Sequence, residues 1–190
     1  MMTQRSCFLR ISALILWLSL PHRAPAAPDL PSLQQEVAQA IENFKKADPG
    51  LQRFFSTAAG YAVFPGVGKG GLVLGGAHGN GLAYEGGKLI GRASVTQVTF
   101  GAQIGGQRFA EIIFFETPAA LARFKSSKLE MSAQLSAVAA AEGASKNAKY
   151  VDGVAVFTQA VKGLMAEASI GGQKLKFKDL AEPVKPQKKR

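Results

Sequence analysis

The chain is short of the residues that do most covalent and metal chemistry. Among 190 residues there is one cysteine, Cys7, and there are two histidines, His22 and His78. A lone cysteine excludes an internal disulfide framework, and two histidines leave little for a metal centre, which takes about three or four ligands. Acid is scarce too: 13 Asp+Glu stand against 23 Lys+Arg, a formal charge of +10. At 19% charged and 47% hydrophobic residues the chain is too apolar for intrinsic disorder and should fold around a core. No apolar run reaches the ~20 residues of a membrane-spanning helix. There is no G-x-S-x-G nucleophile elbow, and no repeat of about 20–50 residues to support a solenoid or propeller. What is abundant is glycine, 21 residues without a G-X-Y period, which excludes collagen and points to glycine-punctuated β-structure.

Residues 1–26 combine a basic start (Arg5, Arg10), the apolar run 11–20 and Ala24-Pro25-Ala26, the layout of a secretory signal peptide. The absence of an Arg-Arg pair near the start favours Sec export, and Cys7 precedes the apolar run, where a lipid-attachment cysteine would follow it. Cleavage before Ala27 would remove three basic residues, the cysteine, the only Trp and His22, leaving 164 residues at +7. An uncleaved anchor is the alternative.

In the remainder, Ser32-Leu33-Gln34-Gln35 fits a capping box, and Leu33, Val37, Ile41 and Phe44 predict an amphipathic helix over 32–47. Asp48-Pro49 caps a second, shorter helix carrying Leu51, Phe54 and Phe55. Strand patterns follow from Gly60. Gly66, Gly68, Gly70 and Gly71 read as a tight turn between strands with Lys69 at its tip. Val98, Phe100, Ala102 and Ile104 alternate as the buried face of one strand, and Ile112–Phe115 reads as a central strand, apolar on both faces. Thr117-Pro118 caps a short helix with Leu121 and Phe124. Residues 129–140 fit both periods and are read as strand; 142–148 reads as a polar loop. Val154–Phe157 and 164–170 read as a last strand pair joined near Lys162-Gly163, with a flexible basic tail at 181–190. The expected fold is α+β: a glycine-rich antiparallel sheet or partial barrel with an N-terminal helical pair and one inserted helix.

The candidate chemistry is thin. Gly66–Gly71 satisfies G-x-G-x-x-G, but a dinucleotide fingerprint needs a helix to begin there, and the sequence that follows is strand-like. His78 has no second histidine or cysteine beside it in the mature chain and reads as structural. Glu85 and Glu111 have no fixed separation that would make them a catalytic pair, and both read as solvated strand residues. No metal or cofactor is expected. Charge says more: residues 174–190 hold seven bases (Lys174, Lys176, Lys178, Lys185, Lys188, Lys189, Arg190) against Asp179 and Glu182. That segment carries +5, and it reads either as a solubilising tail or as an attraction to an anionic surface, worth about 1 kcal/mol per base near acidic lipid. No nucleic-acid recognition motif accompanies it. A small outer-membrane barrel would need strands of ~9–11 residues and aromatic girdles, to which three tyrosines contribute little.

The blocks Ala62–Gly71, Gly75–Gly81, Ser94 with Gly101–Gly106, and Phe157–Ala166 together resemble the SYLF family, also called the Ysc84-type lipid-binding domain, over residues 33–180. The late family block commonly reads Tyr-Ser-x-x-Lys-Gly-x-Phe-Ala-Gly; here Phe157, Thr158, Met165 and Glu167 depart from it, while Lys69, Lys162-Gly163 and Ala166 match. The resemblance implies a non-enzymatic single domain, 27–180, that binds membrane lipid. Eukaryotic members look like phosphoinositide binders, some of which also bind actin. An exported bacterial member would instead meet anionic phospholipid at a periplasmic membrane surface, through Lys69, Lys162, Lys174, Lys176, Lys178, Lys188, Lys189 and Arg190. A protein-interaction module of the cell envelope is the alternative.

Overall fold

The computed structural model describes residues 28–71, 74–100, 107–127, 129–131, 137–162 and 172–180. Helix α1 spans Leu30–Ala47 and buries Leu33, Val37, Ala40 and Phe44 along one stripe. Its N-cap is Asp29 rather than Ser32: Pro31 sits in the first turn, where its missing N–H costs nothing, and the Ser32 hydroxyl donates back to the Asp29 carboxylate. Asp48 ends the helix and caps the 3-10 turn Pro49–Leu51, which leads into α2, Gln52–Thr57. The buried Asp48 carboxylate accepts from Gly50 N at 3.0 Å and from Ser145 N at 2.6 Å. It thereby ties the helical pair to a second 3-10 turn, Ala144–Asn147, inside the expected polar loop.

The strands are β1 Gly60–Gly71, β2 Leu74–Glu85, β3 Lys88–Phe100, β4 Gln107–Phe115, β5 Glu130–Met131, β6 Val138–Ala139, β7 Val154–Lys162 and β8 Gln173–Asp179, with α3, Pro118–Lys125, after β4. They form one sheet in the order β5-β8-β3-β2-β1-β4-β7-β6, antiparallel except for the parallel β6–β7 pair. Gly86 and Gly87, both at positive φ, make the two-residue β2–β3 turn. Pro65, which has no N–H, sits in central β1 because a bulge between Val63 and Gly66 takes it out of the ladder.

Among the described residues the sheet is open, but it is strongly curled. Gln173 on β8 donates to Glu111 on β4 at 3.0 Å, although three strands lie between them in the sheet. In a flat sheet those strands would be about 19 Å apart. The concave face holds one core, with Phe64, Val67, Val95, Ile113, Phe115, Val156 and Leu175, closed at one end by Leu121 and Phe124 of α3. The convex face carries the other core: α1 and α2 pack there on Val63, Leu82, Ile112, Phe114 and Phe157.

Several expectations change. Gly66, Gly68, Gly70 and Gly71 are not a turn: they lie in β1, paired with Asn80, His78, Gly76 and Gly75. The phase of β3 is reversed. Gln97 is buried and Val98 is 51% exposed, because period two names two faces without saying which one the curl encloses. Residues 129–140 contain two short strands, β5 and β6, on opposite edges of the sheet. Lys162 is the last described residue of β7, and the expected hairpin partner 164–170, Gly163 and the tail 181–190 lie outside the described residues. Lys174, Lys176 and Lys178 belong to β8, not to a mobile tail.

Candidate functional site

Strand register assembles on the convex face a feature that linear spacing hides. Lys162 pairs with Arg108, Arg108 with Gly68, Gly68 with His78, His78 with Thr96, and Thr96 with Lys174. One cross-strand row therefore runs over β7, β4, β1, β2, β3 and β8, with bases at both ends and glycine near its middle. Gly68, His78, Thr96, Arg108 and Lys174 are all exposed, since α1 covers only the rows toward Leu82 and Ile112. His78 Nδ1 lies 3.4 Å from Thr96 Oγ1. The Arg108 guanidinium lies across Gly66, where a Cβ would come within 2.4 Å of it. The acid paired beyond the row is Glu130 of β5, opposite Lys174.

The next convex rows continue the basic margin. Ser94 pairs with Lys176 and Arg92 with Lys178. Between these strands and the start of α1 runs a groove of about 290 Å³, lined by Leu33, Asn80, Arg92, Ser94, Lys176 and Lys178 among others, with no carboxylate in its wall. Arg92 Nη1 donates to Pro28 O at 2.9 Å, which fixes the guanidinium at the groove's edge. The Asp29 carboxyl beside it is held below the usual carboxylate range, chiefly by the Ser32 hydroxyl and to a lesser degree by Arg92. Guanidinium, ammonium, amide and hydroxyl groups on one surface can hold phosphate oxygens without covalent chemistry.

Of the predicted residues, Lys174, Lys176 and Lys178 stand together on β8, while Lys162 lies at the far end of the row on β7, with β3, β2, β1 and β4 between. Lys69 is separated from them: strand alternation puts it on the concave face with Val67, so it is neither a turn tip nor part of the row. Lys188, Lys189 and Arg190 lie outside the described residues. Spacing alone does not single out Arg92, Arg108, Asn80 and Ser94 as site residues; a base at alternate positions of β8 and a register map are needed to find them. The two carboxylates also part company. Glu85 is exposed and pairs with Lys125 at 3.1 Å, whereas Glu111, expected in solvent, is fully buried on the concave face.

Among the described residues no group of three or more His, Cys, Asp or Glu is placed to hold a metal, and no helix is long and apolar enough to cross a membrane. Residues 96–182 match the family described as "Ysc84: Las17-binding protein actin regulator". The match takes in β4 through β8 and the end of β3, and not the glycine block 62–81. The chain is also 34% identical over 139 residues to "Beta cell expansion factor A" of Aeromonas veronii, covering 70% of this chain and 52% of that one. It therefore spans about half the length of that relative.

Proposed function

We propose, from the Ysc84/SYLF-family match over residues 96–182, that this chain is a non-enzymatic module that binds anionic phospholipid at a membrane surface. In this reading residues 1–26 are a Sec signal, 27–180 the domain and 181–190 a basic tail, and the protein works in the periplasm, peripheral to a membrane. The observation that carries the reading is the row Lys162–Arg108–Gly68–His78–Thr96–Lys174 with its flanking groove at Arg92, Lys176 and Lys178. A glycine floor lets a headgroup approach the backbone, and bases at both ends supply the attraction.

Co-sedimentation with phosphatidylglycerol vesicles tests it. At about 1 kcal/mol per base near acidic lipid, Arg108→Ala with Lys174→Ala should weaken binding roughly 30-fold, and added salt should weaken the parent chain further. Equal binding to phosphatidylcholine vesicles, or indifference to salt, would sink the proposal. Removing 181–190 separates the contribution of the tail from that of the sheet.

A second groove favours the envelope-protein reading. It measures about 600 Å³, runs between α1 and the end of β7, and is lined by Gln35, Gln39, Asn43 and Gln159 with Glu36 as its acid. β6 pairs with β7 only at Phe157 and Thr158, so beyond them this edge has no strand partner among the described residues. Amide side chains beside a strand edge suit an extended peptide. Envelope proteins retained by the chain through a lipid-removing detergent wash, and lost with Gln159→Arg, would support it; release of everything by that wash would refute it.

A further inference from the structure

Glu111 is the residue whose position the sequence predicts least well, and its surroundings are built. Its carboxylate is fully buried on the concave face of β4, where Gln173 Nε2 of β8 donates to Oε2 at 3.0 Å. Thr158 of β7 is the cross-strand partner of Glu111, and Gln97 of β3 is that of Gln173. All three are 2% exposed. Two polar cross-strand pairs, far apart in the sheet order, therefore meet inside the curl within an otherwise apolar lining. Glu111 Oε1, Gln173 Oε1, Thr158 Oγ1 and Gln97 Nε2 have no partner among the described residues.

Of the charged groups that alternation places on this face, Lys69 of β1 shares the cross-strand row of Ala77, Gln97 and Gln173 and lies opposite Gln107 of β4 rather than Glu111. Asp179 is exposed at the far end of β8, and Glu85 and Lys88 are exposed at the β2–β3 turn, where Lys125 of α3 pairs with Glu85. From β1, β2, β3, β7, β8 and α3 the described residues around Glu111 are apolar or glycine, apart from Gln97, Thr158 and Gln173. No cation among them offsets the carboxylate. Burial pushes it up to about 7, against the opposing hydrogen bond from Gln173.

We propose that Gln97, Glu111, Thr158 and Gln173 form a proton-dependent clasp that sets the curl of the sheet. Protonated, Glu111 gains an O–H to donate to the free oxygen of Gln173 or Thr158 while still accepting from Gln173, and it holds the β3–β8 side against β4. Ionised, it is an acceptor only, carrying an unpaired buried charge. The β3–β8 side then moves away from β4 and admits water. The inference rests on the fold alone and not on the lipid reading.

Hydrogen exchange on the full chain without lipid tests it, at about pH 5.5 and about pH 8, with rates corrected for the intrinsic effect of pH. Amides of β4 and β8 should lose about tenfold or more of their protection at the higher pH, those of the β1–β2 ladder should not, and Glu111→Gln should abolish the difference. An equal loss in the Gln variant, or none in the parent chain, would overturn the proposal. A variant-free arm is the carbon NMR titration of Glu111: a midpoint near 7 supports the clasp, and one in the ordinary carboxylate range refutes it.

Discussion

Two glycines illustrate how much a single residue's setting matters here. A Cβ on Gly81 would stand 2.2 Å from the Val63 carbonyl oxygen, backbone that cannot yield, whereas a Cβ on Gly68 would meet nothing within 4 Å. Gly81→Ala should therefore cost about 2–3 kcal/mol in urea melts, and Gly68→Ala should stay within about 0.5 kcal/mol. Both are strand glycines in the structure, and packing separates them. Asp48 is the contrasting case, since its role in capping is legible and its bond to Ser145, 97 residues away, is not. Burial alone would raise its carboxyl, but the bonds from Ser145 and Gly50 hold it below the usual 3.8. Its contribution is thus present above that value and lost as pH falls through the lowered one. Asp48→Ala, which strands two N–H groups, should cost about 2 kcal/mol at neutral pH and much less in acid.

Among the elements, those with a one-sided apolar pattern and explicit caps are readable in advance. α1 and α3 have their buried stripes where the spacing of Leu33, Val37 and Phe44 and of Leu121 and Phe124 puts them, and Thr117 Oγ1 accepts from Ala120 N as its position before Pro118 implies. β4 is central because Ile112–Phe115 is apolar on both faces, and both faces are indeed covered. β3 and β8 are harder. Each has one covered and one open face, and Gln97 and Gln173 point inward, which hydropathy cannot anticipate because their partner is another buried polar group. The short α2 depends on Phe54, whose ring lies 5.4 Å from Phe114 and 5.0 Å from Phe157. Phe54→Ala should cost about 3–5 kcal/mol and loosen α2 before the sheet, which amide exchange would resolve.

For the whole molecule the distinctive term is the curl, since it makes stability depend on pH in the direction opposite to Asp48. Glu111 is raised from 4.5 to about 7, so its contribution is full below 4.5 and is lost as pH rises through 7. The loss is on the order of 3 kcal/mol, and the thermal midpoint should fall across that window in the parent chain and stay level in Glu111→Gln. The convex face is the other molecular-scale property. Of the +10 formal charge, three units belong to residues 1–26 and five to 174–190; β8 then fixes Lys174, Lys176 and Lys178 in space beside Arg92, and register lines up Arg108 and Lys162 with Lys174. Charge reversal at Arg108 should accordingly affect vesicle binding as strongly as reversal at Lys174, although the two residues are remote from each other along the chain.

The sequence by itself determined the α+β class, the helical pair, the inserted helix and the strand-rich glycine block, because caps, turns and amphipathic periods are local and act on neighbours in the chain. Tertiary structure alone decided which face of each strand is inside, which bases share a row and that Glu111 is buried. Those outcomes depend on strand order, register and curvature, which are set by contacts between residues far apart in sequence and leave no periodic trace in it.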